Sequence, residues 1–451
     1  MDLLADFEQH VAAVAAAATR SLERAAEAGE QFEGVLFHAG SPGVYHADDQ
    51  AVPFRPVPHF ARWAPLSGAD HWLAYRPGER AQLLRHVPSD YWYGAPPPAP
   101  LPGGALEQAY ELRDFADSRS LSAELGSVSG WAYVGNDAAH ARSLGIADSA
   151  IEPRSLMASL DWERATKTRY EVESIREAAR IAALGHAAAR EAARAGASER
   201  AIHAAYLAAA DLLDAECPYP NIVARDESGA VLHYDAKRGP IEGPARSFLI
   251  DAGAPCRGYA SDITRSYALA DAHPVFCDLL AGMERLQSEL VEAVEPGSYV
   301  DLHVRAAQGV CVLLRETGVL RVEADEAMDR ELDRCFLPHG LGHHLGLQVH
   351  DVGGHQLSPE GDTAPPPERA PQLRTTRPLE PGHIVTIEPG LYFIPLLLEA
   401  LRSGPQRDCI DWALVDALRP CGGIRVEDDV HVTERGAENL SRPWLPGATR
   451  A

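Results

Sequence analysis

A chain of 451 residues is longer than one ordinary domain, and two or three are expected. With 46% hydrophobic and 24% charged residues it has the composition of a soluble protein able to bury a sizeable core. A formal charge of -24 argues against phosphate-neutralising nucleic-acid binding and against docking on anionic membranes.

Residues 1 to about 30 read as one Ala-rich amphipathic helix. The apolar run Val11 to Ala18 is preceded by Asp2, Asp6 and Glu8 rather than by a basic region, so it does not read as a signal peptide. GVLFHAG, HWLAY and WAYVGND are strand candidates, and the Pro-rich stretch Gly94 to Gly104 is a loop. This alternation predicts a small α/β domain over residues 1–160 and a second domain over 161–451. A long helical stretch begins at KTRYEVES. Gly196-Ala197-Ser198 ends it and starts a second helix, from Glu199 to about Glu216. The runs NIVARD, AVLHYD, SFLIDAG and SDITRSYAL read as strands, residues 274–317 as a helical block, and the last third as strands and loops with a Pro-rich insertion at Pro359 to Pro371. Seven scattered cysteines without a C-x-x-C pair suggest free thiols in a reducing compartment, and hence a cytoplasmic protein.

The chemistry-bearing residues lie in the C-terminal part. Asp251 ends an apolar run, and Asp262 follows after turn-forming Gly253, Pro255 and Gly258. A bent hairpin would bring both carboxylates together, where one takes a proton unless a cation intervenes. Two aspartates at solvent-facing strand ends would look the same. HGLGHHLGLQVHD holds His339, His343, His344 and His350 among glycines that allow close approach. Glu388 closes the apolar run of VTIEPG and looks misplaced there unless paired or metal-bound. Arg425 and Glu427, two apart, face one side of a strand. One histidine with these four carboxylates is a mostly hard donor set, suited to Mn(2+)-like ions.

In this order, D-x10-D, HGLGHHLGLQVHD, TIEPG and RVEDD resemble the pita-bread metallopeptidases, the family of methionine aminopeptidase, aminopeptidase P and prolidase. FHAGSPGVYHADDQAVPFRPVPHF, PSDYWY, KTRYE, CPYPNIVARD and EPGLYFIPLLLEALR extend the resemblance toward bacterial prolidase and organophosphorus acid anhydrolase. The resemblance implies an α/β (α+β) chain with a creatinase-like N-terminal domain, a pita-bread catalytic domain, and a homodimer acting on small dipeptides. It implies two divalent ions per subunit, with manganese, Mn(2+), as the expected metal. Asp251 would chelate one ion, Asp262 and Glu427 would bridge both, and His343 and Glu388 would hold the second. A bridging hydroxide would attack the carbonyl before proline, with Glu388 moving the proton. His339 and His350 would be catalytic and line the substrate site, and Arg425 would hold the substrate carboxylate. Tyr219, Leu232, His233, Tyr299 and Leu373 match pocket positions. Aminopeptidase P is the nearest alternative, a non-catalytic pita-bread binding module is a more distant one, and slow phosphotriester hydrolysis is an expected side activity.

Overall fold

The expected N-terminal helix runs over Leu3–Glu27 in the structure, a computed structural model that describes residues 2–89, 91–92, 97–240 and 243–445. Asp2 caps it by accepting the Ala5 N–H at 3.3 Å. Phe7, Val11, Val14, Ala18, Leu22 and Ala25 form its buried stripe, which packs on the helix Arg154–Ala165. Five strands follow in the same unit: β1 (Gly34–His38), β2 (Trp72–Tyr75), β3 (Gln82–His86), β4 (Glu111–Phe115) and β5 (Trp131–Val134). They form one mixed sheet in the order β4-β3-β2-β1-β5, in which β1 is antiparallel to β2 and parallel to β5. Every residue of β1 is buried, as expected for a central strand covered on both faces. Gly94 and its two successors in the expected loop lie outside the described residues, as do Asp90 and Tyr93 of PSDYWY.

Contacts divide the chain into two units: the residues up to Glu171 together with Gln356–Thr363, and Val172–His355 with Ala364 onward. The short returning segment is tied into the first unit by Gln356 Nε2, which donates to the Ala158 carbonyl at 2.7 Å and to that of Ser358 at 3.0 Å. The Pro-rich stretch after Pro359 is thus divided between the two units.

The second unit begins with the long helix Arg169–Arg194, followed by Glu199–Ala210. The latter stops earlier than expected because Asp211 turns left-handed, at φ 55°. Strands β6 (Ile222–Arg225), β7 (Ser247–Asp251) and β10 (Thr264–Ala268) make an antiparallel sheet, and the short hairpin β8 (Pro255–Cys256) and β9 (Tyr259–Ala260) lies between β7 and β10. AVLHYD is not a strand. Asp226 adopts φ 57°, and a 3-10 turn over Asp226–Ala230 diverts the chain into a loop. The Asp226 carboxylate is spent on the Arg246 and Ser247 N–H groups, at 2.7 and 3.1 Å.

The expected block 274–317 is two helices, Pro274–Glu292 and Tyr299–Glu316, broken at Pro296-Gly297. The remaining strands are β11 (Ile384–Ile387), β12 (Gly390–Tyr392), β13 (Gly423–Arg425), β14 (Asp428–Thr433) and β15 (Gly436–Asn439). They are antiparallel throughout, β14 lying between β11 and β15, and β12 beside β13. The last third is more helical than expected. Leu-rich PLLLEALRS forms the helix Pro395–Ser403, and Trp412–Leu418 forms another. A core of Phe276, Leu279, Leu314, Phe336, Leu391, Ile410 and Ile424 joins these helices to the strands.

Candidate metal centre

The antiparallel register of β7 and β10 puts Thr264 opposite Asp251. Asp262, two residues before Thr264, therefore turns back toward Asp251 at the end of the bent hairpin. A further bridge pairs Thr264 with Glu427, at the junction of β13 and β14. On the far side His344 bridges to Val385 of β11, which aligns the His-rich loop with the strand ending just before Glu388. Four strand ends thus converge, and each delivers an acidic group or an imidazole.

Ligand atoms of Asp262, His343 and Glu427 lie within 4.8 Å of one another, and all three residues are buried. His343 Nε2 is 3.3 Å from Asp262 Oδ2 and 3.7 Å from Glu388 Oε1. Its Nδ1 is 3.0 Å from the His344 carbonyl. A carbonyl only accepts, so Nδ1 carries a proton and Nε2 faces the carboxylates, which is the tautomer a metal ligand needs. His344 instead packs edge-on against His383, with ring centroids 4.9 Å apart.

Four carboxylates in one buried place repel each other. Burial, reinforced by Asp262, Glu388 and Asp251, holds the Glu427 carboxyl far above its usual range. Burial raises Asp251 too, with Asp262 adding to the effect and Arg425 opposing it. Glu388 is pushed up to about 7 by burial, against the pull of His343 and Arg425. Burial also opposes the ionised form of Asp262, but the His343 imidazole outweighs it and lowers that carboxyl. Burial likewise lowers His343, and Asp262 and Glu388 outweigh it, so the imidazole is raised. Protons thus balance charges that divalent cations would balance better. The hard oxygen donors with one correctly turned imidazole fit such ions.

Arg425 is buried and held on three sides. Its Nη2 donates to Asp251 Oδ2 at 2.5 Å, Nη1 to the Tyr392 hydroxyl at 2.9 Å, and Nε to Thr264 Oγ1 at 3.1 Å. Of the five N–H groups of a guanidinium, two remain for another acceptor. Thr264 in turn donates to Glu427 Oε2 at 2.5 Å. Tyr219 donates to Asp251 Oδ1 at 2.7 Å. His339 has both nitrogens engaged, Nδ1 with the Gly340 carbonyl at 2.7 Å and Nε2 with the Tyr392 hydroxyl at 2.9 Å. Burial pushes its pKa down to about 3. This imidazole orients Tyr392 and, through it, Arg425. His350 is exposed, its ring 4.4 Å from that of His343 at a steep angle. Leu232 is half-buried and His233 exposed, in the loop after β6.

Tyr299 and Leu373 are not on an open wall. Both are fully buried in an apolar cluster with Leu341, Val385 and Ile387. The Tyr299 hydroxyl donates to the Thr386 carbonyl at 2.7 Å, so it braces the strand that leads to Glu388. Sequence reasoning missed Thr264 and Tyr392. Thr264 follows Asp262 by two, the spacing that puts residues of an extended segment on one face, and that was the available signal.

The region 173–434 matches the model of metallopeptidase family M24, and residues 5–162 match the Xaa-Pro dipeptidase N-terminal domain. Among curated relatives, the Xaa-Pro dipeptidase of Shewanella loihica is 40% identical over 92% of this chain and 93% of its own. That of Marinobacter nauticus is 43% identical over 91% and 92%, and that of Stenotrophomonas maltophilia 38% over 98% of both. Among solved structures, aminopeptidase P from Escherichia coli superposes with a TM-score of 0.71 over 96% of each chain, at 23% identity. Proline aminopeptidase P II from Yersinia pestis gives 0.72 over 98% and 97%, at 22% identity. The fold is therefore mixed α/β, with a pita-bread domain after a prolidase-type N-terminal domain.

Proposed function

Because this chain belongs to metallopeptidase family M24, we propose that it hydrolyses Xaa-Pro dipeptides at a centre of two divalent ions held by Asp251, Asp262, His343, Glu388 and Glu427. The observation that carries this reading is the buried convergence of Asp262, His343 and Glu427, with Asp251 and Glu388 beside them and their carboxyls raised by burial, to which neighbouring carboxylates add. When bound, such ions polarise the scissile carbonyl and lower the pKa of a coordinated water. Manganese suits the donor set. All five ligand positions are filled by competent side chains, which disfavours a non-catalytic binding module.

The remaining steps belong to the chain's own side chains. Prolyl nitrogen in a peptide has no N–H, so selectivity falls to groups that fit the ring and its carboxylate. Arg425, fixed by Asp251, Thr264 and Tyr392, has two N–H groups left to receive that carboxylate. Glu388 moves a proton toward the leaving nitrogen. His350, at the exposed rim, donates to the oxygen that gains charge. Tyr219 keeps Asp251 oriented, and Leu232 and His233 border the substrate. The same chemistry gives slow hydrolysis of phosphotriesters as a side activity. Seven free thiols support a cytoplasmic location, and the homodimer rests on the sequence resemblance alone.

The test is hydrolysis of Xaa-Pro dipeptides and of Xaa-Pro-Yaa-Zaa peptides by chelated protein, with Mn(2+) added back. Metal-restored activity confined to dipeptides upholds the reading. Metal-dependent release of the first residue from longer peptides replaces it with aminopeptidase P. A second measurement isolates Arg425. Arg425→Ala lowers kcat/KM for a free dipeptide roughly ten- to a hundred-fold more than for its C-terminal amide, as expected for one charge-assisted hydrogen bond. Equal losses on both substrates would remove the carboxylate role.

A further inference from the structure

We propose that His38, Asp70 and His140, in the first unit, form a separate binding site for one zinc-class divalent ion. Three elements supply the set. His38 ends β1, Asp70 occupies the left-handed turn before β2 at φ 59°, and His140 lies in the short helix Ala138–Ser143. One ligand atom from each lies within 4.8 Å of the others.

The surroundings of the site point to an ion rather than to a simple pair. His38 is fully buried, with its Nε2 turned to Asp70 Oδ1; the buried Nε2 of His140 makes no hydrogen bond. A shared cation would engage both nitrogens and the Asp70 carboxylate at once. His38 Nδ1 lies 2.9 Å from the Tyr133 hydroxyl, which also accepts the Asp137 N–H at 3.1 Å. With the proton on Nδ1, His38 Nε2 presents a lone pair, the usual second contact of a metal-binding imidazole. His38 Nε2 stands 3.4 Å from Asp70 Oδ1. That is about the edge of a tetrahedron with ligand bonds near 2.05 Å.

The supports are in place. Ser41 Oγ lies 2.9 Å from Asp70 Oδ1 and 2.9 Å from Asp137 Oδ2, tying the ligand carboxylate to a neighbour. Trp72 stacks on His38 at 4.0 Å and meets His140 edge-on at 5.1 Å, fixing both rings. Burial lowers the His38 imidazole pKa against the pull of Asp70. An ion pair of His38 with Asp70 alone would gain nothing from His140, which repels a charged His38. Two imidazoles and one carboxylate form a softer set than the carboxylate-rich centre of the second unit and favour zinc over manganese. Three protein ligands leave a position for water.

The test uses the full chain, stripped with chelator, equilibrated with Zn(2+) and freed of excess metal. His140→Ala binds about one equivalent less zinc than wild type, while Asp262→Asn retains that equivalent. Asp70→Asn, nearly isosteric, gives the same deficit if His140→Ala folds poorly. Loaded with Co(2+), Asp262→Asn shows the visible absorption of a nitrogen-containing four-coordinate site, and the Asp262→Asn/His140→Ala double variant loses it. Equal zinc content in wild type, His140→Ala and Asp70→Asn, or a cobalt spectrum indifferent to His140, overturns the proposal.

Discussion

Asp262→Asn protein folds but loses its dipeptidase activity, kcat/KM falling by more than about a hundred-fold, beyond the loss typical of outer-shell metal partners. The substitution leaves the volume unchanged and keeps the Asp262 N–H on the Asp429 carboxylate, at 3.1 Å. What it removes is the negative charge 3.3 Å from His343, which also adds to the burial that raises Glu427, Asp251 and Glu388. The pH dependence has a fixed sign. Glu388 is near 7 in the folded, metal-free protein, against about 4.3 unfolded. Its folded form binds more protons in that interval, so the chelated wild type loses stability as pH rises from about 5 through 7. Metal affinity rises over the same interval as protons leave the site. Thermal unfolding with and without chelator, at pH 5 and pH 8, checks both statements. A metal-loaded, fully active Asp262→Asn would discard the centre.

The largest effect on stability is expected behind the site. The Asp428 carboxylate accepts from Arg265 Nη2 at 2.5 Å, Arg442 Nε at 2.9 Å, Asn439 Nδ2 at 2.9 Å and Gln287 Nε2 at 3.0 Å. Arg265 is also fully buried, and it donates on to the Glu427 carbonyl at 2.6 Å. Asp428→Asn turns an amide into this crowd of donors and leaves a buried guanidinium uncompensated, which costs about 3–5 kcal/mol. That is a large share of a typical total stability of about 5–15 kcal/mol. Burial pushes the Asp428 carboxyl up, and Arg265 and Arg442 outweigh it, holding it well below the usual range. Its contribution is therefore present above the unfolded value of about 3.9 and is lost as pH falls through the folded one. The gap between wild type and variant stays constant from neutral pH to about pH 4 and narrows below. Denaturant titration at pH 7 and pH 3 measures it; a variant within about 0.5 kcal/mol of wild type at pH 7 would show that the network carries no net stability.

Much of this was legible in the sequence, for identifiable reasons. Asp251 and Glu388 each close an apolar run, where a charge is costly without a partner, and the strands end at Asp251 and just before Glu388. The glycines of HGLGHHLGLQVHD marked a close-packed loop, and Gly342 is indeed tight: a Cβ there would meet the Thr386 carbonyl oxygen at 2.3 Å. Partner-dependent features were not legible. Tyr392 links His339 to Arg425 only because β12 pairs with β13, which no local pattern encodes. Tyr299 matched a pocket position but its hydroxyl is spent on a backbone carbonyl in the core. AVLHYD has the composition of a strand, yet the chain turns away at Asp226. The His38, Asp70 and His140 set was invisible because its members come from three segments whose approach depends on the sheet order.

The proposed ligands of the peptidase centre are spread from Asp251 to Glu427, each at the end of a different strand or loop. An ion that gathers them is a cross-link as well as a reagent. Unlike a disulfide, which also restrains the unfolded chain, it is held by the folded chain alone, because only folding brings ligands so far apart in sequence together. The free energy of ion capture is then partly free energy of folding. Metal supply consequently sets two quantities at once, the turnover of each molecule and its survival against proteases that attack opened chains.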